Sequence, residues 1–383
     1  MKTRIFSKSR TNKRAETYDI SLIITIVLLA LIGTIMVFSA GGAYAYARYG
    51  DYAYFIKRQT VWITIGFISM YIFAKINISF VKKSTVYIYA ITLLLLVLVL
   101  VIGLVGNGAK RWISIGPFTL QPSEIAKISI ILMLALYFSE YREKAFNRNS
   151  KKTIFIYGTL FPILIMLIPI ILVMLQKHLS CIIILGLIGL SMIVISGIDT
   201  RYIRIFCGGG ALGVCAIAFL TDYTKERITV WQDPEKYKLT GGWQTLQGLM
   251  AIGSGGLFGV GLGKSVMKHC YVSEPANDMI FAILCEETGL VGATLTLLIF
   301  AILIYRGYTI SLTSCDMYSR LVAFGISTKM AIQVLLNVAV VTNSIPNTGI
   351  SLPFFSYGGS SLIMLFIEMG ILLSISKNAK IIK

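Results

Sequence analysis

Apolar runs of about 20 residues recur along the whole of this chain, and they limit its fold more than any other feature. A helix rising about 1.5 Å per residue needs a run of that length to cross the roughly 30 Å of hydrocarbon in a bilayer. Ten such runs fall near 19–40, 60–76, 85–105, 122–139, 153–175, 179–197, 203–221, 279–304, 321–343 and 357–376. Of the 383 residues, 56% are hydrophobic and 14% charged, where a soluble domain has about 45–50% and about 25%. The expected fold is an all-α polytopic membrane protein with ten transmembrane helices. These form a single membrane domain over 19–376, between a basic tail at 1–18 and a short tail at 377–383. The longest segment between runs, 222–278, becomes a large loop between helices seven and eight.

Lysine and arginine are retained on the cytoplasmic side of a membrane. With the N-terminus inside, 21 of the 35 fall in inner segments and 12 in outer ones, six of these in 222–278, while Lys127 and Lys329 lie within runs. Both termini are therefore expected in the cytoplasm and the large loop outside the cell. The net charge of +18 is accounted for as a topology signal, with no nucleic-acid partner. The first run precedes AYAYA at 43–47, which imitates a signal-peptide cleavage site, but it is longer than a signal h-region and nine runs follow, so it is read as a retained span. The six cysteines form no C-x-x-C pair and the only histidines are His178 and His269. Neither a disulfide framework nor a metal site is expected, and a serine-type triad would have few parts to use.

Four segments on the outer side, 106–127, 176–180, 222–278 and 343–358, concentrate Gly, Pro, aromatic and charged residues. Irregular polar backbone near a bilayer needs support from protein or a water-filled cavity. In GNGAKRWISIGPFTLQPSEIAK, Pro122 suits the first helical position and puts Glu124 and Lys127 on one face as i and i+3 partners. Two readings stand side by side: an ion pair that fixes helix packing, or a cationic pocket in which Lys127, Lys110 and Arg111 hold a phosphate-bearing head group. The stretch GLMAIGSGGLFGVGLGKS is too glycine-rich for a spanning helix and too apolar for a solvated linker, and is expected on or partly in the outer leaflet. It lacks the strand and helix context of a phosphate-binding loop. The segment NSIPNTGISLPFFSYGGSS reads as a re-entrant loop whose Asn343, Asn347, Thr348, Ser351 and Ser356 suit either sugar and peptide groups or the broken backbone itself.

EPANDMIFAILCEETG at 274–289 sets four carboxylates around an apolar run. On a helix starting near Asp278, Glu286 lies about 12 Å deeper. That exceeds the roughly 5–9.5 Å of paired glycosidase carboxylates. Asp278 therefore acts alone or with another segment, or it caps the helix, as Asp often does. Glu286 and Glu287 are expected to be structural, through hydrogen bonds to neighbouring helices.

The blocks GNGAKRWISIGPFTLQPSEIAK, GGWQTLQGLMAIGSGGLFGVGLGKS, EPANDMIFAILCEETGLVG and NSIPNTGISLPFFSYGGSS resemble the signature blocks of the SEDS family of bacterial cell-wall polymerases, in family order and over nearly the whole chain. NDMIFAI and VVTNSIPNTGIS are closer to its division and sporulation branch, FtsW and SpoVE, than to RodA. The resemblance implies a peptidoglycan glycosyltransferase in the bacterial cytoplasmic membrane, polymerising lipid II into a β-1,4 glycan strand outside. It implies a class B penicillin-binding transpeptidase as partner, within the divisome or sporulation machinery. By motif position the family's essential carboxylate falls on Asp278, as general base. Lys110, Arg111, Trp112, Glu124, Lys127, Gln247 and Ser356 become the expected substrate-binding positions, with Glu124 holding Lys127. No cofactor is required; a divalent cation, Mg²⁺ or Mn²⁺, is the alternative source of positive charge for the leaving pyrophosphate. Two departures stand out. Lys177 replaces the proline that many relatives carry, and Lys329 sits in the ninth run where an uncharged residue is expected, either snorkelling to the inner surface or pairing with a neighbouring helix. A lipid II flippase and a non-catalytic scaffold for the transpeptidase are the alternatives. Glu286, Glu287 and Lys329 are the residues that keep transport open.

Overall fold

The computed structural model describes residues 18–106, 109–116, 118–141, 154–197 and 222–379. Helices α1 (Ile20–Tyr49), α2 (Tyr54–Lys75), α3 (Ile78–Ile102) and α4 (Pro122–Glu140) precede a π-helical segment, Ile154–Leu160, that runs into α5 (Phe161–Leu175). They are followed by α6 (Leu179–Ile195), α7 (Asp222–Gln232), α8 (Trp243–Gly255), α9 (Ile280–Thr313), α10 (Met317–Val341) and α11 (Gly359–Asn378). Among the described residues, seven helices are long and apolar enough to cross a membrane, and Leu179–Ile195 is a shorter apolar helix. The expected run at 203–221 lies outside the described residues. The chain is a mostly helical, multi-pass membrane protein.

The expectation of an all-α fold needs one correction. Strands β1 (Leu104–Gly106), β2 (Ala109–Ile115) and β3 (Phe118–Leu120) form a small antiparallel sheet in that order. KRWISI and FTL carry the β-branched and aromatic residues that suit strands. Between them Gly116 turns at φ 62°, a conformation that favours glycine.

Side chains that cap helices also join them. Asp19 caps α1 by accepting a bond from Leu22 N at 3.1 Å, and its second oxygen receives Arg306 Nε at 3.0 Å, tying the start of α1 to α9. Asp316 caps α10 through Ser319 N at 2.9 Å. Almost every residue of α4 from Pro122 to Phe138 is buried, and this helix packs against α3, α6 and α10. By contrast Ile91, Leu94, Val97 and Val101 run exposed along α3, a continuous apolar face that lipid would cover.

Buried charges are paired or hydrogen-bonded. Lys329 bonds both oxygens of Glu368 on α11 at 2.7 Å, so it joins a neighbouring helix and does not snorkel. Glu287 receives Ser39 Oγ from α1 and Lys268 Nζ, the latter at 3.0 Å, and the Lys268 and Glu287 side chains are 1% and 0% exposed. Glu286 receives Val266 N at 2.9 Å and the hydroxyl of Ser265. Both glutamates are structural, and they anchor the chain leading to Asp278 as well as a neighbouring helix.

That chain passes through a break in α9. Gly289 has φ 67° and ψ −169°, which interrupts the helix and frees its backbone groups. The glycine-rich segment fills the gap: Val260 N and Gly261 N donate to the carbonyls of Glu286 and Glu287, and Leu290 N and Val291 N donate to those of Gly256 and Leu257, all at 2.9–3.1 Å. The glycines are therefore a backbone crossing point. Residues on one face of α8 are buried, including Gly248 and Ala251, with Gly248 toward Met279. Support for this segment comes from protein, although Leu257, Phe258 and Leu262 remain exposed. A Cβ at Gly289 would stand 2.3 Å from Gly259 N and 2.5 Å from Leu257 O. Gly289→Ala is expected to destabilise the protein by at least about 2 kcal/mol, seen as a lowered thermal midpoint in detergent.

Candidate active site

The four polar segments close on one cavity of about 620 Å³. Arg111 and Trp112 come from β2, His178 and Ser180 from the turn into α6, Arg227 and Trp231 from α7, and Gln244 from α8. Glu274, Asn277 and Asp278 precede α9, and Asn347, Thr348 and Ser351 lie in the irregular segment between α10 and α11.

The walls cross-link one another through broken backbone. Lys177 has φ 51°, which a proline ring cannot reach, and its carbonyl accepts Arg111 Nη2 at 2.6 Å. The chain from 343 to 351 lacks a regular ladder, so its carbonyls take bonds from side chains. Trp231 Nε1 donates to Asn343 O at 2.9 Å, Arg227 to Asn347 O and Ser180 to Thr348 O. Asn337 Nδ2 bridges Ile350 O at 2.7 Å and Asp278 O at 3.0 Å, fixing the catalytic candidate's backbone to this segment.

Asp278 does not cap α9. The helix begins at Ile280, Met279 holds the N-cap position, and no side chain fills the role. The carboxylate instead receives Gln244 Nε2 at 3.3 and 3.4 Å, and Gln244 Oε1 accepts Asn347 Nδ2 at 3.1 Å. Gly349 turns beside this carboxylate at φ 69°, a conformation that favours glycine, and a Cβ there would make an ordinary contact of 3.5 Å with Asp278 Oδ2. Burial, followed by the like charge of Glu274, pushes the Asp278 pKa up to about 6. Across the cavity His178 is pushed down to about 3 by burial and by Arg111, so its imidazole is neutral. Its Nδ1 lies 3.3 Å from Ser123 Oγ. Among the described residues no three His, Cys, Asp or Glu converge to hold a metal ion.

Of the catalytic and substrate-binding positions singled out in the sequence, Arg111, Trp112 and Asp278 line the cavity, and the others are placed elsewhere. Lys110 Nζ donates to Val101 O at 3.0 Å and Leu100 O at 3.3 Å, satisfying carbonyls at the C-terminal end of α3. Glu124 and Lys127 form a buried pair at 2.7 Å, the packing alternative, with Glu124 on a smaller cavity beside Lys329 and Ser356. Gln247 is buried in α8. Ser356 Oγ donates to Asn277 O at 2.6 Å and accepts Leu352 N at 2.7 Å, so it holds the backbone beside Asp278. Gln244, Arg227 and Trp231 were not singled out by the sequence. Gln244 lies one helical turn before Gln247 within GGWQTLQG, whereas Arg227 belongs to a polar stretch, DYTKERITVW, that reads as a solvated helix.

Comparison with known proteins gives a consistent set. The family described as cell cycle protein, FtsW/RodA/SpoVE, matches residues 19–381. Stage V sporulation protein E of Bacillus subtilis is 38% identical over 368 residues, covering 94% of this chain and 98% of that one. A probable peptidoglycan glycosyltransferase FtsW of Geobacter sulfurreducens is 34% identical over 377 residues, covering 96% and 97%. Among solved structures, a chain of a peptidoglycan synthase complex that coordinates polymerization and crosslinking superposes with a TM-score of 0.78 at 25% identity, covering 94% of this chain and 98% of that one. The rod shape determining protein RodA of Thermus thermophilus gives 0.71 at 25% identity, covering 95% and 98%.

Proposed function

This chain belongs to the FtsW/RodA/SpoVE family of cell cycle proteins, and from that membership we infer that it is a peptidoglycan glycosyltransferase whose reaction takes place in the cavity around Asp278. The observation that carries the assignment is the convergence of all four polar segments on that one cavity, with a single carboxylate of raised pKa on its wall.

The substrate in this reading is lipid II, a disaccharide joined through pyrophosphate to a lipid. Asp278 takes the proton from the acceptor sugar's 4-hydroxyl as that oxygen bonds to the donor's anomeric carbon and the bond to pyrophosphate breaks. An α-linked donor gives a β-1,4 product by one inverting displacement, so one base suffices. The leaving group needs positive charge, and the cavity offers Arg111 and Arg227. Asn347 and Gln244 orient the carboxylate. We propose that these arginines serve without a cofactor. A rate that persists in EDTA and does not rise with Mg²⁺ or Mn²⁺ is the expected result.

In this reading the chain has ten spans with both termini in the cytoplasm, which the distribution of lysine and arginine supports, and the cavity faces outward from the bacterial inner membrane, toward a class B penicillin-binding transpeptidase of the division or sporulation machinery that crosslinks the product. The transport alternative loses its residues: Glu286 is held by Ser265 and Val266, Glu287 by Ser39 and Lys268, and Lys329 by Glu368. Purified protein with its transpeptidase is expected to convert lipid II into glycan strands. No polymer, together with movement of lipid II between the leaflets of a vesicle, would overturn the assignment in favour of transport.

A further inference from the structure

The tyrosine-rich hairpin AYAYARYGDYAYF, residues 43–55 at the junction of α1 and α2, has no part in the chemistry above. Its rings form an ordered surface. Tyr49 stacks on Tyr54 with centroids 4.0 Å apart and planes 9° from parallel, and the guanidinium of Arg58 lies 4.4 Å from the centre of Tyr54. Arg48 donates to Tyr44 Oη at 2.7 Å and lies 5.9 Å from the Tyr49 ring. Despite these contacts Tyr49 is 47% exposed and Tyr46 65%.

The hairpin is joined to the cavity wall by packing and a backbone hydrogen bond. Phe55 packs 4.8 Å from Tyr357, and Tyr357 N donates to Ala276 O at 2.8 Å, two residues before Asp278. Arg48 also interacts electrostatically with Glu274 on the cavity wall. An interfacial aromatic belt spreads around the lipid-facing perimeter, whereas these rings gather at one hairpin and connect inward. Arg48, Lys57 and Arg58 outnumber Asp51, the hairpin's one acid, which pairs with Lys57 at 2.8 Å.

We propose that this hairpin is a binding surface for the growing glycan strand, taking the apolar face of a β-1,4-linked N-acetylated pyranose against Tyr49 and carboxylates of the strand against Arg48 and Arg58. The proposal rests on the polymerase reading. Flat rings offer apolar area at fixed orientation to the C–H face of a sugar, and the arginines supply charge for an anionic strand. A strand held beside Asp278 stays in position for the next transfer, so the surface would set product length.

Wild type, Tyr49→Ala and Tyr49→Phe, full-length and with the transpeptidase partner, are compared for strand length at matched lipid II consumption. Binding of chitotetraose is measured on the same preparations in nanodiscs. Tyr49→Ala is expected to shorten the mean strand and weaken chitotetraose binding by about fivefold each, while Tyr49→Phe, which keeps the ring, stays near wild type. If Tyr49→Ala does not fold, the exposed Arg48→Gln is the second variant and is expected to shorten strands as well. Unchanged length and binding in the variants of a working polymerase would overturn the surface alone. Turnover lost with chitotetraose binding intact would mark a membrane anchor and also overturn it. No polymer from wild type would instead strike the reading on which it rests.

Discussion

Replacing Asp278 with Asn is expected to slow glycan polymerisation by about 10²–10⁴-fold, the contribution of a well-placed general base. The amide has the volume of the carboxylate and can still meet Gln244, so cavity shape and the Gln244–Asn347 link are retained. What it cannot do is accept the proton of the acceptor hydroxyl. The same variant is expected to be no less stable than wild type, because an ionised carboxylate held in a half-buried site beside Glu274 is unfavourable to the fold. A thermal midpoint that holds or rises while polymer disappears separates catalysis from folding. Loss of both together would make Asp278 a structural residue.

Lys268→Met is expected to destabilise the protein by about 3–5 kcal/mol, since it strands the Glu287 carboxylate without a counter-charge in a dry interior. Both side chains are essentially inaccessible, and the lysine also donates to Gly263 O and Ser39 Oγ. The pair therefore clamps the glycine-rich segment to α9 and α1 at the level of the Gly289 break. Adding Glu287→Gln removes the stranded charge, and the amide oxygen can still accept from Ser39. The double variant is expected to recover most of the loss, measured as thermal midpoints of the two single variants, the double and wild type. Equal destabilisation by the double and Lys268→Met would show that lysine packing and its bonds to Gly263 and Ser39, rather than the ion pair, hold the crossing.

Much of this architecture is legible in the sequence because a bilayer imposes length and polarity on each run. Pro122 opening α4, Glu124 meeting Lys127 three residues on, and the gathering of four polar segments all follow from local rules. Other features depend on partners far along the chain. Lys329 looks anomalous alone and becomes ordinary beside Glu368, 39 residues away. The glycines at 255–263 suggest a segment seated on or partly in the outer leaflet until Gly289 opens α9 to receive them. Lys110 and Arg111 look equivalent as neighbouring cations, but strand alternation sends Lys110 to the end of α3 and leaves Arg111 in the cavity. Gln244 was hidden for the same reason: only the fold brings α8 against the residues before α9. Asp278 reads as a cap from its local pattern, and its freedom from that role depends on the helix starting two residues later.

The most direct test of Asp278 as the base is the pH dependence of kcat/KM for lipid II polymerisation. The ionised form is the active one, so the rate should be level at neutral pH, bend near about 6 and fall about tenfold per unit below it. Glu274→Gln removes the like charge that helps to raise this pKa, and should move the bend to lower pH. A profile with no acid limb, or a bend that ignores Glu274, would contradict the assignment.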